Sequence, residues 1–335
     1  MLIQTNRLYL HGDTEFDKSS VATHTKPYST VLMQLLIACL ITLSITSVLV
    51  NESHAAEHII QLTAEETQDD GFGNKLLAYK MLSHTVNGLP VTDRYSGHAT
   101  IPGPTIELTE GDTVTISIFN AIPGNDAAVE GISKQVSIHV HGVHYDILSD
   151  GTLKVINKNF DEGAGAGLVE TYAVYEYKWN VAPGTAGTWA YHDHNYESHN
   201  GSENRGLFGA IIVNPMGAPS YAKEYVLYLG DDAFWGMEID GSSKQQSNHG
   251  ANPTLTAARN STVRFHLIAM GTDIHKFALT GYQWLDPGTR GHINRIAIGP
   301  LEKHVFSVNA KFSTQYVDKN FSNQLMGMKG LFKVQ

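Results

Sequence analysis

Thr113-Val114-Thr115-Ile116-Ser117-Ile118 alternates hydroxyl-bearing and aliphatic side chains with a period of two. Successive side chains of an extended strand point to opposite faces, so this pattern specifies a strand with one buried face. Ala210-Ile211-Ile212-Val213 and Glu224-Tyr225-Val226-Leu227-Tyr228-Leu229 are β-branched and aromatic in the same way, and Gly, Pro, Asn and Asp interrupt the chain between such runs from His58 onward. No long amphipathic helical pattern competes with them. The expected fold class is all-β, a sandwich or barrel.

The β-rich part repeats itself. Pro104-Thr105 through Val114-Thr115-Ile116 is echoed by Pro253-Thr254 through Val263-Arg264-Phe265, and Ser137-Ile138-His139-Val140-His141-Gly142 by Lys276-Phe277-Ala278-Leu279-Thr280-Gly281. Tyr191-His192-Asp193-His194 is echoed by Tyr316-Val317-Asp318-Lys319, and Arg205-Gly206-Leu207-Phe208 by Lys329-Gly330-Leu331-Phe332. Four matches in one order indicate a duplicated β domain. Asn214-Pro215-Met216-Gly217-Ala218-Pro219-Ser220 has the composition of the linker, which gives domains at 56–215 and 216–335 after an N-terminal segment 1–55. A chain of 335 residues suits two domains of roughly 100–200 residues each.

With 33 acidic against 23 basic residues and a formal charge of −10, the chain is a poor partner for nucleic acid. Val31 to Val50 is apolar apart from small hydroxyl residues and Gln34, long enough to span about 30 Å of hydrocarbon. Lys26 precedes it and Ser53-His54-Ala55 follows with small residues at cleavage positions, so an export signal is expected, with a retained anchor as the alternative. Either way the protein is exported, and only residues 31–50 would touch a membrane. Leu36-Ile37-Ala38-Cys39 has the form of a lipidation box, but the apolar run continues well past the cysteine, which argues against lipidation. Cys39 is the only cysteine. The exported domains therefore hold no thiol, which excludes a catalytic cysteine, a disulfide and a thiolate-bound blue copper.

Against that absence stand 17 histidines. In His139-Val140-His141 a strand would project both imidazoles to one face and Val140 to the core, and His192-Asp193-His194 would do the same. If those strands are neighbours, four imidazoles converge. An all-imidazole set suits Cu, Zn, Fe or Ni rather than Mg or Ca. A single His-x-His is commonly a surface or hydrogen-bonded pair; two in one domain, flanked by Gly and Tyr, point to metal. His144 and His199 lie near the pairs and are candidates for further ligands or proton carriers, with plain loop histidines as the alternative.

Ile101-Pro102-Gly103-Pro104-Thr105, His139-Val140-His141-Gly142, Ser149-Asp150-Gly151, Trp189-Ala190-Tyr191-His192-Asp193-His194 and Gly206-Leu207-Phe208-Gly209 together resemble the first domain of multicopper oxidases, in particular the two-domain small laccases. The resemblance implies two tandem cupredoxin-like Greek-key β-barrels, copper as cofactor, and a homotrimer in which domain one of each subunit faces domain two of a neighbour. It assigns His139, His141, His192 and His194 to a copper cluster, places Tyr145 near it, and puts His144 where the family has an acidic residue. In the second half it aligns His275 and Met328 with ligands of an electron-entry copper. There Asp318 stands in place of the thiolate and Asn323 in place of the second histidine, while Ala278, Thr280, Val317 and Lys319 replace four cluster ligands.

An ordinary laccase cycle, which passes electrons through a Cys–His bridge, is therefore not expected. The reading is a copper oxidoreductase acting on a small inorganic or oxygen-derived molecule. Copper at His139, His141, His192, His194 and possible fifth ligand His199 would work with proton handling by His144 and Tyr145, and a redox partner protein would supply or take electrons. Two alternatives are a copper-binding or delivery protein without turnover and a zinc hydrolase-like site, the second weakened by the lack of a carboxylate base beside the motifs. Elsewhere, His275 reads as a packed remnant, Met326 and Met328 as core filling, and Asp193 and Asp318 as acids hydrogen-bonded inside each barrel.

Overall fold

The alternation at 113–118 becomes a strand from Thr113 to Asn120 that buries Val114, Ile116 and Ile118 and leaves Thr113 exposed. The computed structural model describes residues 55–69, 75–122, 136–152, 173–194 and 205–335. The expected signal or anchor at 31–50, Cys39 and His199 lie outside the described residues.

In chain order the first ten strands are β1 (Glu57–Asp69), β2 (Lys75–Val86), β3 (Leu89–Pro90), β4 (Thr105–Thr109), β5 (Thr113–Asn120), β6 (His139–Val140), β7 (His144–Tyr145), β8 (Ala173–Asn180), β9 (Gly187–His192) and β10 (Phe208–Asn214). They form one sheet in the order β3-β2-β1-β5-β8-β7 and a second in the order β4-β10-β9-β6. The next twelve are β11 (Lys223–Leu229), β12 (Phe234–Asp240), β13 (Gln246–Ala251), β14 (Leu255–Ala257), β15 (Thr262–Ala269), β16 (His275–Leu279), β17 (Trp284–Leu285), β18 (His292–Ile293), β19 (Ile296–Ile298), β20 (Lys303–Asn309), β21 (Thr314–Asp318) and β22 (Lys329–Val334). Their main sheets run β13-β12-β11-β15-β20 and β14-β22-β21-β16-β19. A short helix, α1 (Phe321–Leu325), precedes β22. No helix among the described residues is long and apolar enough to cross a membrane.

The duplication is visible down to single side chains. β1 runs parallel to β5, and β11 parallel to β15. Tyr191 donates its hydroxyl to the Pro104 carbonyl and Tyr316 donates to that of Pro253. A β-carbon on Gly209 would lie 2.3 Å from the Tyr191 ring and one on Gly330 2.1 Å from that of Tyr316. In both barrels a tyrosine is thus held flat against a neighbouring strand that only glycine can supply.

Each barrel has its own core. Ile60, Leu62, Ile116, Ile138, Val140, Trp179 and Tyr191 anchor the first, and Leu227, Phe265, Phe277, Trp284, Phe306 and Tyr316 the second. Burying one such aliphatic or aromatic side chain contributes about 1.5–3 kcal/mol before entropy is set against it. A third core joins the barrels: Ala190, Phe208, Ala210 and Ile212 of β9 and β10 pack with Val226, Tyr228, Met237, Ile239 and Ile268 of β11, β12 and β15. Polar contacts stitch the same junction. Lys244 Nζ lies 2.8 Å from Glu107 and 3.3 Å from Glu224, and buried His266 bridges Glu224 Oε2 (2.9 Å) and the Thr188 hydroxyl (2.5 Å). Burial pushes the His266 imidazole below its ordinary pKa, in keeping with a neutral ring.

Candidate metal centre

β6 is only two residues long, yet it fixes the site. It pairs antiparallel with β9 so that His139 stands opposite His192 and Val140 opposite Tyr191. Val140 goes fully to the core, which sends His139 to the other face. The His141 amide continues the ladder by donating to the Ala190 carbonyl at 3.0 Å. Beyond it Gly142 turns with φ +77°, and the Trp189 ring occupies the space where a β-carbon would sit. At the end of β9, Asp193 turns into the barrel as expected: its Oδ1 accepts from the Ser137 amide (2.8 Å) and hydroxyl (3.2 Å). Ser137 Oγ in turn accepts from the His194 amide at 2.9 Å, which sets the backbone of that histidine.

The four imidazoles come together. Ring centroids are 4.7 Å apart for His139–His141, 5.2 Å for His139–His194, 5.6 Å for His139–His192, 5.4 Å for His141–His192 and 5.5 Å for His192–His194. His139 Nδ1 donates to the Asp150 carbonyl at 2.6 Å and His192 Nδ1 to the Asp193 carbonyl at 3.0 Å. These bonds put the proton on Nδ1 in both rings, the arrangement that orients metal-binding histidines. His141 Nε2 and His192 Nε2 are 3.2 Å apart, the spacing of two ligands about 2.0 Å from a shared ion. Burial first, then the neighbouring imidazoles and Lys303, holds His141 down to about 3, and burial also lowers His139. Neutral rings need shed no proton to bind metal. Among the described residues no group of three or more His, Cys, Asp or Glu is arranged, as it stands, so that it could hold a metal ion. The donor set nevertheless fits copper: it is all imidazole, with two rings pre-tied and two nitrogens at ligand spacing.

Tyr145 lies close by, its ring 6.2 Å from that of His139. Burial and a hydrogen bond to the Asp150 carboxylate raise its pKa. Asp150 is thus the common tether, its carbonyl on His139 and its carboxylate on Tyr145. Sequence reading did not single it out, although it sits inside the Ser149-Asp150-Gly151 triplet; Gly151, with φ +75° and backbone packed against the Ile138 carbonyl, folds it back onto His139. His144 is placed differently. It is exposed on β7 opposite Asn180 and lines a shallow depression of about 450 Å³ with Asp146, Lys178 and Trp179.

In the second barrel the slot of His139 and His192 is filled by Ala278 opposite Val317. Next to it, Asp318 accepts from His275 Nδ1 (2.8 Å), Asn323 Nδ2 (2.8 Å), the Lys276 amide (2.9 Å) and the Asn320 amide (2.8 Å). A carboxylate has about four lone-pair sites, and all are used. Burial pushes Asp318 upward, but these donors outweigh it and hold the acid at about 2. His275, Asp318 and Met328 are fully buried, so His275 and Met328 are packed as expected. Met326 is not: it follows α1 on the surface, 73% exposed, and fills no core. The saturated carboxylate has no oxygen left to offer an electron-entry copper in the thiolate's place.

Fold and centre define a two-domain cupredoxin whose histidine-rich site lies in the first barrel. Residues 95–217 match the model of the multicopper oxidase family, and this similarity implies copper as the cofactor. It is 29% identical over 254 residues to a probable nitrite reductase-hydroxylamine oxidoreductase fusion protein of Kuenenia stuttgartiensis, covering 70% of this chain and 28% of that one. It is 29% identical over 136 residues to copper resistance protein A of Escherichia coli, covering 39% of this chain and 18% of that one. The chain thus spans less than a third of these curated relatives. A solved multicopper oxidase superposes with a TM-score of 0.54 at 21% identity, covering 83% of this chain and 88% of that one, which supports the fold.

Proposed function

We propose that His139, His141, His192 and His194 hold copper in an exported oxidoreductase that acts on a small inorganic or oxygen-derived molecule. The observation that carries this reading is the meeting of four imidazoles, each within 4.7–5.6 Å of at least two others between ring centroids, two of them tied through Nδ1 to backbone carbonyls. Copper held by these histidines would supply one-electron chemistry. The residues do the rest. Asp150 keeps His139 in its Nδ1–H tautomer and holds the Tyr145 hydroxyl, a proton that stays in place through neutral pH because its pKa is raised. His144, exposed beside Tyr145, is the candidate for proton exchange with solvent, and His199 for a further ligand.

Electrons reach the site from the substrate or a redox partner protein, since the second barrel offers Asp318 where a thiolate bridge would stand. A homotrimer would bring a neighbouring subunit to the exposed His194. The names of two relatives, a nitrite reductase fusion and a copper resistance protein, agree with copper and a small inorganic substrate. The exposure of His194 also favours a second reading, copper delivery without turnover.

Metal content per chain and the copper EPR spectrum test both. The expectation is about one copper per chain with an ordinary copper(II) signal that shifts on adding nitrite or peroxide. A copper signal inert to every small ligand favours delivery. No copper, or an intense blue band, overturns the assignment.

A further inference from the structure

Lys303 opens β20 in the second barrel, yet its side chain reaches the first. Its Nζ sits over the Trp189 ring, 2.7 Å from the centroid. The same ring lies against Gly142: a β-carbon there would be 1.9 Å from Trp189 Cδ2. Gly142 follows His141, and the His141 amide is bonded to Ala190, the residue after Trp189. Lys303, Trp189, Gly142 and His141 are therefore consecutive links of one packed line. Trp189 is itself pinned at its far edge, where its indole N–H donates to the Thr185 carbonyl at 2.8 Å. An ammonium ion on an indole face is attracted by the ring quadrupole, more strongly when half-buried.

We propose that Lys303 is a positioning residue for the four-histidine site: it presses Trp189 onto the Gly142 turn that aims His141, and its positive charge biases bound copper toward Cu(I). This rests on the reading of the four histidines as copper ligands. A fixed cation beside a metal raises the cost of the extra positive charge of Cu(II), and the interaction is weakly screened because the side chain is half-buried. Burial lowers Lys303 to about 8, so at neutral pH the charge is largely present.

The test compares Lys303→Met, which keeps an apolar stem but removes the charge, with Lys303→Arg, which keeps charge and ring contact. Copper(I) and copper(II) dissociation constants are measured by chelator competition on the full chain, and the Trp189 indole N–H resonance is followed in the metal-free protein. Lys303→Met is expected to shift the preference for Cu(I) over Cu(II) by about tenfold toward Cu(II), about 59 mV for one electron. It should also move the Trp189 resonance, and Lys303→Arg should restore both. An unchanged ratio in Lys303→Met, or equal weakening of both oxidation states, overturns the proposal. If the wild-type chain binds no copper the four-histidine reading fails instead, and the metal-free resonance still reports whether Lys303 holds Trp189.

Discussion

Replacing Asp318 by Asn keeps the size of the side chain but puts an amide nitrogen where a carboxylate oxygen now accepts. Four buried donors converge on Asp318: His275 Nδ1, Asn323 Nδ2 and the amides of Lys276 and Asn320. At least one must lose its partner, and a stranded buried donor costs about 1–3 kcal/mol. Removing a charge from a buried pair outright costs about 3–5 kcal/mol, so Asp318→Asn is expected to lose about 2–3 kcal/mol and Asp318→Ala about 4. The acid limb gives an independent measure. The folded-state pKa is held to about 2, below the ordinary aspartate value of 3.8, so the native state stays ionised where the unfolded chain takes up a proton. Its contribution is fully present above about pH 4 and is lost as pH falls through about 2; at about 1.4 kcal/mol per unit this amounts to about 2–3 kcal/mol. Urea unfolding followed by circular dichroism, at neutral pH and across that acid window, measures both quantities. An Asp318→Asn protein within about 0.5 kcal/mol of wild type, or one whose stability falls below pH 4 in parallel with wild type, would refute the reasoning.

His139→Ala should lower copper occupancy by about tenfold or more, while His144→Ala leaves stoichiometry unchanged and alters only the pH dependence of any turnover; elemental analysis separates them. Gly142→Ala forces a β-carbon to 1.9 Å from Trp189 at φ +77°, so it should cost about 2–3 kcal/mol and shift the tryptophan emission, read in a thermal melt. His84 is buried, and that burial, with the charges of His58 and Arg94, holds its pKa to about 3. The native ring stays neutral where the unfolded one is protonated, so stability is complete above about pH 6.5 and falls toward pH 3 by up to about 1.4 kcal/mol per unit. His84→Gln should flatten that slope in a pH series of melting temperatures.

Much of this was legible in the chain because strands announce themselves by alternation. Thr113–Ile118, the paired tyrosines Tyr191 and Tyr316, and the projection of His139 with His141 all follow from side chains two apart pointing the same way. Contacts between residues distant in sequence were not. Asp150 acts partly through its backbone carbonyl, which no residue type advertises. The line from Asp112 through His58 and His84 to Tyr95 joins residues scattered over two strands and two loops. Met326 carries an apolar side chain but follows a helix that turns it to solvent, so hydrophobicity alone misassigned it. Lys303 is the clearest case: only the packing of the second barrel on the first brings it to Trp189.

The apolar junction bears on how the chain has been able to change. Phe208 and Ile212 of one barrel are covered by Tyr228, Met237 and Ile268 of the other, so either half made alone would present a greasy sheet face to water. The second barrel is thus needed as a cover whatever chemistry it performs. Its interior can therefore hold Ala278, Val317 and a self-contained carboxylate where the first barrel carries histidines, without loss of the face that does the covering.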